Sequence, residues 1–156
     1  MGIEFEDDEL RVLVEFFHAQ HNPAINEFLG FTMDSPDLDN ASLKFEMRDE
    51  LIGNYIYRTL HGGVISAILD ITGGHVVFLK QFKRARGQPI EKIMKKATRI
   101  GTIDIRIDYL LPGTGNNFST SGYVLRIGNK VAVTRMELHN DRQELIAVGT
   151  GSYTVG

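Results

Sequence analysis

Leu60-His61-Gly62-Gly63 heads an apolar run from Val64 to Phe78 that carries a single acid, Asp70. Two glycines at the start of a helix let a ligand approach the backbone closely. The N–H groups of the first turn, which lack partners within the helix, then point at whatever lies there. Such donors suit a carbonyl that becomes an oxyanion under attack, where one well-aimed donor contributes about 3 kcal/mol. The same glycines equally suit a tight strand-to-helix turn with no ligand. Asp70 adds the second group. An ionised carboxylate in apolar surroundings costs several kcal/mol unless it is paired. An acid held there has a raised pKa, which fits a general base or nucleophile; the alternative is a structural carboxylate that caps neighbouring backbone.

Spacing constrains how the two groups can cooperate. Gly62 and Asp70 are eight residues apart, about 12 Å along a helix axis, whereas reacting groups must converge to about 3 Å. One helix cannot bring both to one substrate. A two-fold dimer with antiparallel helices can, by setting Gly62 of one chain opposite Asp70 of the other. Gly73-Gly74, each costing about 1 kcal/mol within a helix relative to Ala, marks either the close approach of two such helices or internal packing.

The elements that position these groups follow from periodicity. Leu10, Val12, Leu13, Phe16 and Phe17 recur at helical spacing, and a second short helix is expected with Asn22 as cap, Pro23 in its first turn and Gly30 at its end. Leu43, Phe45 and Met47 alternate with Lys44, Glu46 and Arg48, as in a strand with one wet face. The long apolar helix should span about His61 to Phe82. Lys83 to Arg99, broken by Gly87 and Pro89, reads as a loop holding one short helix. Four strands follow. Ile103, Ile105, Ile107, Tyr109 and Leu111 alternate with Asp104, Arg106 and Asp108; a strand from Phe118 to Ile127 turns at Gly128-Asn129 into Val131 to Leu138, and Asn140-Asp141-Arg142 turns into Leu145 to Thr154. This order implies an α+β architecture in which a curved antiparallel sheet wraps one long central hydrophobic helix. Residues 1–29 form an N-terminal helical extension and 30–156 the main domain.

Composition narrows the class. At 156 residues and 42% hydrophobic content the chain suits one domain with a substantial core. A net charge of -3 gives no global attraction to nucleic acid or an anionic membrane. Eight of the 17 basic residues cluster at Lys80, Lys83, Arg84, Arg86, Lys92, Lys95, Lys96 and Arg99, with Glu91 the sole acid among them; the cluster is either a solvated loop or a patch for a phosphorylated ligand. There is no cysteine, so disulfides and thiolate zinc sites are excluded. Glu4, Glu6, Asp7, Asp8 and Glu9 oppose the sign of a signal peptide, and no uninterrupted apolar stretch reaches membrane-spanning length, which points to the cytoplasm. Other motifs fail on context. Gly113-Thr114-Gly115 lies between strands, Asp37 and Asp39 lack a calcium loop's final acid because Arg48 stands there, and no serine occupies a nucleophile elbow. His18 and His21 read as a surface pair, and no metal site is expected.

Taken together, His61-Gly62-Gly63 with an acid nine positions after the His, Gly101-Thr102-Ile103-Asp104, Asp108-Tyr109-Leu110-Leu111-Pro112-Gly113, Leu125-Arg126-Ile127-Gly128 and Ile146-Ala147-Val148-Gly149-Thr150-Gly151 resemble the PaaI-like hotdog thioesterases from about Gly30 onward. The long basic loop and the strand start at Arg99 are most similar to the YigI-type medium/long-chain acyl-CoA thioesterases. The resemblance implies a hotdog fold and hydrolysis of an acyl-CoA to a free acid and CoA, with no metal or cofactor, in a homodimer or a tetramer built as a dimer of dimers. It implies that Gly62 polarises the thioester carbonyl while Asp70 of the partner chain attacks or activates water. His61 and Gly63 would shape the turn and the substrate site. Thr102 would orient the water or the carboxylate; an ordinary strand threonine is the alternative. The family's Asn corresponds most nearly to Asn54, one residue further from His61 than usual, with Tyr55 in its place. Arg99, Arg126 and Lys130 are candidate partners for the CoA phosphates. Two competing functions are a hydratase or dehydratase, for which no motif is present, and a non-catalytic acyl-CoA-binding module, which would be expected to carry an output domain.

Overall fold

The computed structural model describes residues 7–34 and 38–156. Glu4 and Glu6 of the acidic start, the side chains of Asp7 and Leu10, and Asp37 lie outside the described residues. Two short helices, α1 (Asp7–Gln20) and α2 (Ala24–Leu29), lead into the strands β1 (Thr32–Met33) and β2 (Asn40–Glu46). A small hairpin of β3 (Ile52–Asn54) and β4 (Thr59–Leu60) then delivers the chain to the long helix α3 (Gly62–Arg84). The helix α4 (Ile90–Ala97) and the strands β5 (Thr102–Tyr109), β6 (Asn117–Ile127), β7 (Val131–Asn140) and β8 (Leu145–Thr154) complete the chain. Six strands pair antiparallel in the order β1-β2-β6-β7-β8-β5, with β3-β4 separate. The sheet wraps α3, as expected.

The inner stripe of α3 explains the wrapping. Ile65, Ile68 and Leu69 are buried against Leu43, Phe45, Phe118, Met136, Leu138 and Ile146 of the sheet. Further along, Thr72 donates to the Ile68 carbonyl and bonds Thr120 of β6 at 2.7 Å, so this buried hydroxyl pair is satisfied internally. The outer stripe, with Val64, Ala67, Asp70, Ile71 and Gly74, is only partly buried. By length and composition α3 could cross a bilayer, but half of that stretch is buried within this fold; it is a core helix. At the sheet margin β5 is an edge strand with Ile103 and Tyr109 more than half exposed.

Several local expectations are corrected. Asn22 does not cap α2: Pro23 holds the cap position, and its carbonyl accepts the Asn26 N–H at 2.9 Å. Among the described residues of α1 the fully buried one is Val14, while Val12 and Phe16 are each 64% exposed; the docked face lies one step round from the one suggested by the apolar spacing. A β-bulge between Val124 and Arg126 shifts the β6–β7 register, so the turn moves one residue on to Asn129-Lys130, closed by the Gly128 N–H on the Val131 carbonyl at 2.9 Å. His18 is not a surface residue: its ring lies 4.7 Å from that of His75 and 5.3 Å from that of Phe78. The paired glycines of α3 differ sharply. Gly73 is internal packing, since a Cβ there would sit 2.2 Å from the Tyr153 hydroxyl, whereas one on Gly74 meets only the Tyr153 ring at 3.7 Å.

Gly73→Ala is therefore expected to destabilise by about 1–3 kcal/mol through overpacking. Gly74→Ala should be neutral or stabilising by up to about 1 kcal/mol through helix propensity; urea denaturation of both variants measures the contrast. Acid sensitivity is a second expectation. Burial, with the neighbouring His18 adding to it, pushes His75 down to about 3, and burial also lowers His18. Both bind protons more readily unfolded than folded. Stability should thus be complete above about pH 6.5 and fall as pH drops toward 3, by up to about 1.4 kcal/mol per unit for His75. A His75→Leu variant should flatten that slope between pH 7 and 5.

Candidate active site

The start of α3 is assembled by the hairpin before it. The His61 N–H bonds the Leu51 carbonyl at 2.8 Å and the Leu60 N–H bonds that of Gly113 at 3.0 Å, which fixes the direction in which the helix leaves. Gly53 allows this approach, because a Cβ there would lie 2.7 Å from the His61 Cα. His61 is the N-cap, and its Nδ1 accepts the Gly63 N–H at 2.9 Å. The N–H groups of Val64 and Ile65 both go to the His61 carbonyl, at 2.9 and 3.2 Å. Of the first-turn donors, the Gly62 N–H alone has no acceptor among the described residues. Gly63, expected as a second ligand contact, already has its donor bound to the cap.

The next peptide of the turn, between Gly62 and Gly63, is equally organised. The Gly62 carbonyl accepts the Tyr109 hydroxyl at 2.9 Å and the Ser66 hydroxyl at 3.0 Å, and the two hydroxyls lie 2.6 Å apart. Tyr109 and Ser66 thus hold the Gly62–Gly63 peptide, whose own N–H is the one bound to His61 Nδ1, and so fix the turn on the far side of Gly62 from its N–H. Gly62, Ile65, Tyr109, Leu110 and Leu111 share a shallow cavity of about 410 Å³.

Asp70 is held differently. Its Oδ1 accepts two hydrogen bonds, from Thr102 Oγ1 at 2.9 Å and from the Tyr153 hydroxyl at 3.1 Å, and the Tyr153 hydroxyl also meets the Asp70 carbonyl at 3.1 Å. Asp70 Oδ2 has no partner among the described residues. Burial lifts Tyr153 well above the ordinary tyrosine range, and the Asp70 charge and hydrogen bond lift it further, so it stays a neutral donor. Gly73 leaves the room that the Tyr153 hydroxyl fills. Thr102 reaches Asp70 because of a second bulge. In an unbroken strand it would share the outer face with Asp104, Arg106 and Asp108, but the irregularity between Thr102 and Asp104 reverses its face and pairs it with Tyr153. Asp70, Thr102 and Tyr153 line a cavity of about 550 Å³ that follows α3 past Ile71, Gly74 and His75 to Phe78.

Within one chain, then, Gly62 and Asp70 open into separate cavities. Asn54 belongs to neither. Its Oδ1 accepts the N–H groups of Ile56 and Tyr57 at 3.0 and 3.3 Å, which makes it the turn former of the β3–β4 hairpin. Arg99, Arg126 and Lys130 are exposed, and none lines the Asp70 cavity. Arg99 and Lys130 flank the end of β8, where their carbonyls accept Thr154 Oγ1 at 2.7 Å and the Val155 N–H at 3.0 Å. Within the basic cluster Lys80 and Lys83 bond Asp39 at 3.0 and 2.6 Å and hold its carboxyl below the usual range. Among the described residues no group of three or more His, Cys, Asp or Glu side chains could hold a metal ion. Sequence reasoning did not reach Tyr153, Tyr109 or Ser66. Tyr153 carried a weak signal, as an aromatic two residues after Gly151 in a strand otherwise rich in small residues.

Comparison with known proteins places the chain in a family. The thioesterase superfamily model matches residues 57–147, which take in the Gly62 turn, Asp70 and Thr102. The medium/long-chain acyl-CoA thioesterase YigI of Escherichia coli strain K12 is 38% identical over 150 residues, covering 96% of each chain. YigI of Salmonella typhimurium strain LT2 is 39% identical with the same coverage. A crystal structure from Shewanella oneidensis, described as related to the thioesterase superfamily, matches with a TM-score of 0.87 and 39% identity over 96% of both chains. The helix-wrapped sheet is the hotdog fold, and the chain belongs to the thioesterase superfamily.

Proposed function

We propose that the protein hydrolyses medium- or long-chain acyl-CoA thioesters and works as a dimer in which each site takes Gly62 from one chain and Asp70 from the other. The observation that carries this reading is the carboxylate itself: two donors fix one Asp70 oxygen and leave the other facing an elongated cavity lined in large part by apolar side chains. The size and identity of the YigI relatives support the acyl-CoA substrate. The antiparallel pairing follows from the distance between Gly62 and Asp70 on a rigid helix, and the partly buried outer stripe of α3 supplies a surface for it.

In this mechanism the thioester oxygen accepts the Gly62 N–H. Asp70 Oδ2 of the partner subunit takes a proton from water as the water oxygen bonds to the carbonyl carbon. The tetrahedral oxyanion then collapses, the carbon–sulfur bond breaks, and the proton on Asp70 passes to the departing sulfur. Thr102 and Tyr153 position Asp70, and His61 holds the turn that aims Gly62. Arg99, Arg126 and Lys130 are assigned to the CoA phosphates, as exposed cations near one end of the sheet.

Asp70→Asn should lower kcat for thiol release from acyl-CoA by about 10²–10⁴-fold with the fold retained; unchanged release would refute the role given to Asp70, and binding with no turnover by the unaltered protein would favour a non-catalytic acyl-CoA-binding module. The Gly62 donor has its own test. Proline is favoured at the first position of a helix, and the extended His61 backbone, φ -63 and ψ 136, suits a residue before proline. Gly62→Pro should therefore fold yet lose about 10²–10³-fold in kcat, while Gly62→Ala, which keeps the N–H and meets only ordinary contacts with Tyr109, should stay near the unaltered rate.

A further inference from the structure

The cavity that begins at Asp70 does not continue along α3 without limit. At Phe78 it meets α1, whose rings pack on those of the long helix: Phe17 stacks on Phe78 at 5.1 Å with the planes 25° apart, and His18 lies tilted against His75 at 4.7 Å. His18 also packs on Phe78 at 5.3 Å. Phe17 and His18 bound the cavity at this end, and His21, Asn22, Pro23 and Asn26 continue its lining from α1 toward α2. From Asp70 to Phe78 is eight residues of helix, about 12 Å, and the whole cavity, about 550 Å³, lies within the range of about 300–1,000 Å³ that small-molecule sites occupy. The span is that of several methylene groups laid along the helix. Its sides are apolar where β1, β2 and α3 contribute Met33, Leu43 and Ile71.

We infer that α1 gauges the acyl chain: Phe17 and His18, seated on Phe78 and His75, form the end wall of the cavity that starts at Asp70 and so decide which chain length is hydrolysed. This rests on the reading of the site as an acyl-CoA thioesterase. The wall is compatible with an alkyl tail because both imidazoles stay uncharged near neutral pH, each lowered by burial. It is also adjustable, since it is built from an element that, among the described residues, has Val14 as its one fully buried anchor. Each further methylene group taken out of water is worth about a four-fold gain in affinity, so the position of the wall converts directly into a chain-length optimum.

The experiment is a series of acyl-CoAs from butanoyl to octadecanoyl, read as kcat/KM by thiol release, alongside the dissociation constants of the matching non-hydrolysable S-alkyl-CoA thioethers. Phe17→Ala and His18→Ala should move both optima to longer chains, with about a four-fold gain for each methylene newly accommodated. His18→Phe, which rebuilds the wall, should keep the unaltered optimum. Gly74→Leu extends a side chain into the cavity from a position whose Cβ meets only the Tyr153 ring, and should move both optima to shorter chains. Optima that stay in place in all four variants would overturn the gauge and leave the hydrolase reading intact. So would a change confined to inhibition by free CoA, which would assign the cavity to the pantetheine arm. Length-dependent thioether binding that the variants shift, with no turnover of any acyl-CoA, would overturn the hydrolase reading and leave the gauge standing.

Discussion

A carboxylate on a helix that must pack beneath a sheet is tolerated only if its oxygens find donors. In this protein that requirement organises much of the middle of the molecule. Asp70 takes both of its donors on one oxygen, from Thr102 and Tyr153, which pair with each other across β5 and β8. Tyr153 can lie flat against α3 only because residue 73 has no side chain, and Thr102 faces inward only because β5 is irregular at Ile103. A helix glycine, a strand bulge and a buried tyrosine, each unfavourable or irregular alone, are consistent with one another around a single acid. That mutual dependence is what distinguishes a held carboxylate from one that happens to lie at a surface.

The second anchor is the turn before α3. Its architecture is a sorting of donors: the His61 ring takes Gly63, the His61 carbonyl takes Val64 and Ile65, and Tyr109 and Ser66 take the Gly62 carbonyl. What is left without an acceptor among the described residues is one N–H, that of Gly62. Fixed partial charges of this kind need no reorganisation during a reaction, which is why a single remaining donor can matter more than several mobile ones.

Much of this was legible in the chain and some was not, for identifiable reasons. The order of elements and the wrapped helix could be read because α3 and the later strands are long and strongly patterned, and their periods of 3.6 and 2 are hard to confuse. His61, Gly62 and Asp70 stood out because they are close in sequence and chemically out of place. Bulges defeated the pattern twice, at Ile103, where the face of Thr102 is reversed, and at Leu125, where the hairpin turn is moved by one residue. Tyr153 was missed because its partner is 83 residues away and nothing local in β8 announces a hydrogen bond to a helix. The docked face of α1 was misread because Val12 and Phe16 are apolar yet exposed, and apolar spacing alone cannot tell which side of a short helix finds the core. Lys80 and Lys83 seemed unopposed because their carboxylate, Asp39, comes from a segment some forty residues earlier.

The hydrogen bond from the Gly63 N–H to His61 has one more consequence. A backbone N–H can only donate, so the ring nitrogen it meets must offer a lone pair, and the neutral imidazole then carries its proton on Nε2. The tautomer is written by the polypeptide backbone. While that bond holds, Nδ1 is engaged by the backbone, and the ring nitrogen left to meet a ligand is a donor, Nε2–H. In the proposed mechanism proton uptake then rests with the Asp70 carboxylate, a division of labour between imidazole and acid that the cap of a helix prepares before any substrate arrives.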